Sequence, residues 1–320
     1  MTTRQDLIRA LERAPIIGSV INRHRQRRRQ RDWATLFTAN TGASSIRFYV
    51  TIGQGDMMVA KQFCEAFEDH VRTHGDPCLG TVVISAGAWD PAFRLDRGDH
   101  VVYWWWSMSF RDDWLDHYLD HVDVKPDVVA CLSRSCLDYA RQRGQQTTHL
   151  PLAVSKHFRP ARASRRGIGF AGSRGHKDPA QEAAIIRPFA ERADFEWVNN
   201  LPSEQDLAAF YNRKQIILGM TEGRQESMGM VNNRVFEVLA TGTPFILHSH
   251  RAVSEVLGFD FPFQSSSPEQ SLDLAERILA EYPHHLELFA SYSREVVARH
   301  TYDQRIATLI ECLRARSGRK

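Results

Sequence analysis

No apolar stretch in this 320-residue sequence reaches the ~18 residues that a membrane-spanning helix requires. The densest run, Val101 to Trp106, has only the length of a strand, so the chain is not expected to cross a membrane by itself. No CxxC pair occurs among the five cysteines, which argues against a zinc ribbon, and their odd number leaves one thiol over in any disulfide framework. They read as reduced thiols and point to the cytoplasm. After Arg4 and Arg9 there is neither a continuous apolar core nor a small-residue cleavage site, so no secretory leader is expected and the mature chain is read from Met1.

The formal net charge of +3 is unevenly spread. Residues 1–33 hold nine arginines against Asp6, Glu12 and Asp32, a local +6 that leaves −3 for the remainder. Six of those arginines lie in "RHRQRRRQR", preceded by "APIIGSVIN" and followed by Trp33. Such a leader has two readings. It is a solvated arm, or it lies on an anionic membrane with Ile17, Val20, Ile21 and Trp33 at the interface, which would hold the protein at the inner face. Nucleic acid is not an expected partner, because the basic character ends with the arm.

A hydrophobic content of 42% suffices for two cores of ordinary size, ~100 to 200 residues each. "IRFYVTI", "TVVIS", "HVVYWWW", "DVVACLS" and "THLPL" are short apolar runs of strand type, and "MMVAKQFCEAFEDHVRTHG" and "RSCLDYARQRG" have helical periodicity. The polar, basic segment "AVSKHFRPARASRRG" reads as a crossover. The alternation then restarts with "IGFAGS", a helix over 179–192, "FEWV", a helix capped by Ser203 in "SEQDLAAFYNR", "QIILGM", "NRVFEVLA" and "PFILHS". Alternation of this kind predicts an α/β fold with parallel sheets covered on both faces. The expected organisation is a basic arm over 1–36, an acceptor-side Rossmann-like domain over 37–155, a donor-binding Rossmann-like domain over 156–300, and a C-terminal helix over 301–320. The two tandem doubly wound domains would face a cleft.

Open α/β sheets bind ligands beyond the carboxyl ends of their strands. Two segments sit at such ends. In "FAGSRGHKDP" a strand ends at Gly172, and small residues, Arg174 and Lys177 precede a helix, a composition suited to a phosphate or diphosphate. The loop itself matches neither GxGxxG nor GxxxxGK[ST]. In "NNRVFEVLATGTPFI", Arg234 and Glu237 lie three residues apart on one helix face, where an arginine can meet a phosphate and a carboxylate can accept ribose hydroxyls.

"NNRVFEVLATGTPFI" resembles the donor-binding signature of GT-B glycosyltransferases of the group-one and spore-maturation type, N-x-R-x-F-E-x-x-A-x-G-x-P. "IGFAGSRGHKD" looks like the family's phosphate loop and "HTYDQRIATLIECL" like its closing helix, so the resemblance spans about 125–315. It implies a GT-B-like fold and transfer of a sugar from a nucleotide-sugar donor to a glycan or lipid-linked acceptor. Glu237 would bind the ribose, Arg174 and Lys177 the diphosphate, with Gly172 and Ser173 approaching the phosphates and Glu226, Asn233 and Arg234 completing the donor site. The family often places a second carboxylate eight positions before the ribose-binding one. Here that position is Gly229, and the nearest upstream acid is Glu226.

No Asp-x-Asp triplet is present, so no metal is expected at the donor and no cofactor besides the donor itself. Arg174, Lys177 and Arg234 would neutralise the leaving diphosphate. The i, i+4 pair His117 and His121 in "DHYLDH" has metal-ligand spacing, but no HExxH glutamate accompanies it. Asp56 and Asp90, in Gly-rich turns of the first half, are the candidate general bases, and Trp104 to Trp106 offer a surface on which a sugar could stack. Two other classes remain open at this point. One is a catalytically inert relative that binds nucleotide-sugars as a sensor or partner subunit. The other is a nicotinamide-dependent oxidoreductase, disfavoured because no GxGxxG follows either first strand.

Overall fold

The computed structural model describes residues 34–51, 54–86, 98–106, 114–122, 124–172, 178–199, 201, 203–221 and 223–317. The basic arm expected over 1–36 lies outside them, save for its last three residues. These open a strand, β1 (Ala34–Asn40), that pairs antiparallel with β2 (Ser44–Thr51). No strand is read from "ATLFTAN" in the sequence. The segment alternates half-buried and exposed positions at the edge of the sheet, so little in it shows as an apolar run.

The chain continues through α1 (Gln54–His74), β3 (Gly80–Ala86), β4 (His100–Trp105), α2 (Trp114–His121), β5 (Val128–Cys131), α3 (Arg134–Gln142) and β6 (Thr147–His149). The six strands form one sheet in the order β1-β2-β3-β4-β5-β6, parallel from β2 onward. This order is sequential. The first sheet therefore has no reversal of strand order among the described strands, and the doubly wound pattern expected of it is not there.

Both faces of this sheet are covered. Every residue of β4 is buried, with Trp104, Trp106, Phe48 and Phe63 in ring contact on one face and Tyr103 and Trp105 meeting Tyr118 and Tyr139 on the other. All three tryptophans are core, with Trp104 and Trp105 at 0% exposure and Trp106 at 3%, so none of them offers the sugar-stacking surface expected from the sequence. Trp104 donates its indole N–H to the Leu150 carbonyl at 2.8 Å, satisfying its one polar atom.

The second sheet follows as β7 (Ile168–Ala171), α4 (Pro179–Ile185), β8 (Phe195–Val198), α5 (Glu204–Asn212), β9 (Ile216–Gly219), α6 (Gly223–Ser227), α7 (Asn233–Ala240), β10 (Phe245–His248), α8 (Val253–Leu257) and β11 (Gln264–Ser265). The helix expected over 179–192 stops early. Pro188 has no N–H to continue the ladder, and a 3-10 turn replaces it over Arg187–Phe189. Strand order is β11-β10-β9-β7-β8, so the chain steps from β7 to β8 on one side and then crosses to β9 on the other. The carboxyl ends of β7 and β9 form a topological switch point, where an open α/β sheet leaves a crevice.

Three helices end the chain, α9 (Pro268–Ala280), α10 (Tyr282–Arg299) and α11 (Tyr302–Ser317). The last one returns to the first sheet and packs on α1. A buried arginine fastens it: Arg305 Nε donates to the Pro151 carbonyl at 2.8 Å and its Nη2 to His300 Nδ1 at 2.9 Å. The His300 Nε2 lies 3.1 Å from the Leu257 carbonyl. An imidazole that accepts at Nδ1 and donates at Nε2 is neutral, in keeping with burial and the Arg305 charge holding its pKa down at about 4. Among the described residues no helix is long and apolar enough to cross a membrane.

Candidate functional site

The switch point is built by three residues from strand ends and one from a helix. Arg234, in the first turn of α7, donates Nη1 to the carbonyl of Met220 just beyond β9, at 3.2 Å. Its guanidinium carbon stands 5.2 Å from the centre of the Phe170 ring in β7, a cation–π contact. Its Nη2 lies 3.1 Å from where a side chain on Gly172 would begin. The guanidinium therefore spans the gap between the two strands whose order reverses, and it remains half-buried rather than enclosed.

Gly172 contributes by having no side chain. A Cβ there would sit 3.0 Å from the Phe170 ring and against Arg234, and φ is +156°. Its backbone is otherwise occupied, since its N–H donates to the Val198 carbonyl at 2.9 Å and its carbonyl accepts the Trp197 indole N–H at 2.7 Å. Both Gly172 backbone groups, which the sequence places near the donor phosphates, are thus bonded within the protein. Gly167, Gly169 and Gly172 do spell G-x-G-x-x-G, but they run along β7 itself rather than through a loop that opens a helix. Gly172→Ala is expected to displace the Arg234 guanidinium and weaken anion binding by roughly tenfold, with the fold retained; titration of a nucleoside diphosphate against both proteins checks it.

The positive end of α4 is likewise in use. Asp178 caps it, its Oδ1 accepting from Ala180 N at 2.8 Å and Gln181 N at 3.3 Å, and Pro179 has no N–H to offer. The start of the helix that follows the loop is thus closed by the protein's own carboxylate. Ser173, Arg174 and Lys177 lie outside the described residues, as do Asp90 and the side chain of Asp56, whose backbone begins α1. The His117–His121 pair has one member, His121, whose side chain is also outside.

Glu237 is 2% exposed and accepts a bond from Asn233 Nδ2 at 2.7 Å. Burial pushes its carboxyl up to about 7; the Arg234 charge opposes the rise, Glu204 adds to it, and the Asn233 bond opposes it. Arg234 and Glu237 do share a helix face, as their spacing requires. They differ in reach, because the long arginine extends to the strand ends while the short carboxylate stays beneath it. Asn233 is spent on Glu237. Its neighbour Asn232, which the sequence reading passed over, holds the loop after β9 by donating to the Met220 carbonyl at 3.0 Å and to Thr221 Oγ1 at 3.2 Å.

Glu226 belongs to a second cluster at the same edge. Gln181 Nε2 donates to its Oε2 at 3.0 Å, and His248 Nδ1 lies 3.8 Å from that oxygen. Burial raises the Glu226 pKa and the Asp178 charge adds to the rise, while burial lowers that of His248. His248 ends β10. The carboxyl-end rule points to it in "PFILHS", although the run reads first as an ordinary buried strand.

The position eight before Glu237 has a physical explanation. Gly229 is buried with φ +70°, and a Cβ there would stand 3.5 Å from the Ala252 Cβ and 3.7 Å from the Ser133 Cβ. Ser133, the N-cap of α3, also donates to the Met228 carbonyl at 2.6 Å. A carboxylate-bearing side chain would be strained there and would point into this contact.

Against known families, residues 158–311 match the glycosyl transferase-like model. That segment is a glycosyl transferase-like domain. Through it the chain is a glycosyltransferase, and the domain contains β7 to β11, the switch point, Arg234, Glu237 and the Glu226 cluster. Among solved structures, a crystal structure of CalG4, the calicheamicin glycosyltransferase, is similar at 14% identity over 81% of each chain, with a TM-score of 0.31. A superposition that loose carries no argument about this transferase. No curated protein matches the sequence.

Proposed function

We propose that this transferase has a GT-B-like arrangement and moves a sugar from a nucleotide-sugar donor, held at the β7/β9 crevice, to a glycan or lipid-linked acceptor presented from the side of the first sheet. The observation that carries the reading is the Arg234 guanidinium, placed by Phe170, Met220 and the absent side chain of Gly172 at the reversal of strand order in the second sheet. A planar fork with several N–H donors fits a diphosphate and favours the charge that develops on it as the sugar leaves. Transfer would need no metal ion at this point, with Arg174 and Lys177 of the adjoining loop adding charge. Glu226 and His248 would face the sugar, and Glu237 would act from below through Asn233 and Arg234.

Gly229 favours one alternative, a nucleotide-sugar-binding relative without turnover, because its φ of +70° strains any side chain and so disfavours a second carboxylate at that position. The test is a thermal-shift panel of UDP-, GDP-, dTDP- and CMP-sugars in EDTA, followed by assay of donor hydrolysis. A ligand at ~100 times its dissociation constant stabilises the fold by ~2.7 kcal/mol, a readable shift. One nucleotide class should stabilise the protein without metal and be slowly hydrolysed. Stabilisation with an intact donor supports the inert alternative, and no stabilisation by any class sinks both.

A further inference from the structure

Away from the crevice, α1 and α11 bring together residues that lie more than two hundred positions apart. His70 Nδ1 is 2.7 Å from Asp303 Oδ1, and the His74 ring, one helical turn along α1, has its centre 4.6 Å from that of His70. One nitrogen from each imidazole and one carboxylate oxygen all lie within 4.8 Å of one another. We propose that His70, His74 and Asp303 bind a single divalent ion of the zinc type, which pins the last helix of the chain to α1.

The donor set selects the ion class. Two imidazoles and one carboxylate suit borderline divalent ions such as zinc, cobalt or nickel, whereas magnesium and calcium call for oxygen ligands throughout. Ligand atoms ~2.0 to 2.1 Å from a tetrahedral centre stand about 3.3 Å apart, so to receive an ion the His70–Asp303 pair opens slightly and His74 moves in. His70 and Asp303 are already in contact. His74 is exposed, and its side chain is free to swing inward. The nearby cations do not compete for the site, since Arg72 and Lys156 are both paired with Asp69, Arg72 Nη1 at 2.9 Å. A cavity of about 270 Å³ adjoins, lined by His74 and Asp303 together with Thr73, Ser155, Lys156 and Tyr302, and gives water or a ligand access to the fourth coordination position.

The bland competitor is an ion pair between His70 and Asp303 that holds the helices without any metal. Tag-free full-length protein, stripped with EDTA and dialysed, separates the two. Zinc is titrated calorimetrically, cobalt is titrated by visible absorption, and the unfolding midpoint is recorded with and without zinc. The expected result is one ion per chain, a cobalt d–d band, and a zinc-dependent rise in midpoint. His74→Ala, a change at an exposed position, and Asp303→Asn should each weaken uptake by at least about tenfold and remove the band, while His284→Ala in another histidine pair should change neither. No uptake at micromolar zinc, or uptake that both site variants leave unchanged, overturns the proposal.

Discussion

Arg234→Ala is expected to lower kcat/KM for the nucleotide-sugar donor by about 10² to 10³-fold, the range seen when one preorganised donor to developing charge is removed. Part of the loss is structural. The variant also gives up the bond to Met220 and the contact with Phe170, worth about 1 to 2 kcal/mol together, so its unfolding midpoint should fall by a few degrees. Arg234→Lys separates the two effects. It keeps the charge and loses the fork, and should restore the midpoint more fully than the activity. Steady-state kinetics beside thermal unfolding check this, and activity within threefold of wild type in the alanine variant would remove Arg234 from the site.

Glu237→Gln carries the second large effect, and its sign depends on pH. The folded-state pKa of about 7 stands above the ordinary glutamate value of 4.5, so between those values the native state binds more protons than the unfolded one, and wild-type stability falls as pH rises. At about 1.4 kcal/mol per unit, charging this buried carboxyl costs about 3 kcal/mol by pH 8. The glutamine variant does not carry that cost and keeps an oxygen for the Asn233 amide. It should be more stable than wild type at pH 8, by up to that amount, with the difference gone near pH 4.5. Donor affinity should move the other way if the charge holds Arg234 and Asn233 in place for the donor. Chemical denaturation of both proteins from pH 4.5 to 8 reads the first part, and a difference that does not vary with pH would contradict it.

The second sheet was legible because its strands are covered on both faces, and such strands read as unbroken apolar runs. "FEWV" has the bounds expected, and Ser203 caps α5 as its spacing to Asp206 required. Less visible were the edge strand β1, whose only large apolar residues are Leu36 and Phe37, and the break of α4 by Pro188, three residues past its end. The order of strands in the first sheet was beyond reach, because pairing is a long-range property that an apolar run does not encode.

At the site, the rule about carboxyl ends found Arg234 and the neighbourhood of Glu226. The same rule could have found His248. It could not show that Asp178 caps α4, that both backbone groups of Gly172 are bonded within the protein, or that Asn232 and Asn233 divide their tasks. Each of these depends on which of several hydrogen-bond partners comes within reach, and that is settled by packing rather than by spacing.

The most direct test of the donor crevice is a crystal structure of the full chain soaked with the nucleoside diphosphate that the thermal-shift panel selects, in EDTA. The account expects its phosphates within hydrogen-bonding distance of the Arg234 guanidinium, between the ends of β7 and β9. Density for the nucleotide elsewhere, for instance in the cavity beside Lys156 and Tyr302, with the β7/β9 crevice empty, would contradict it.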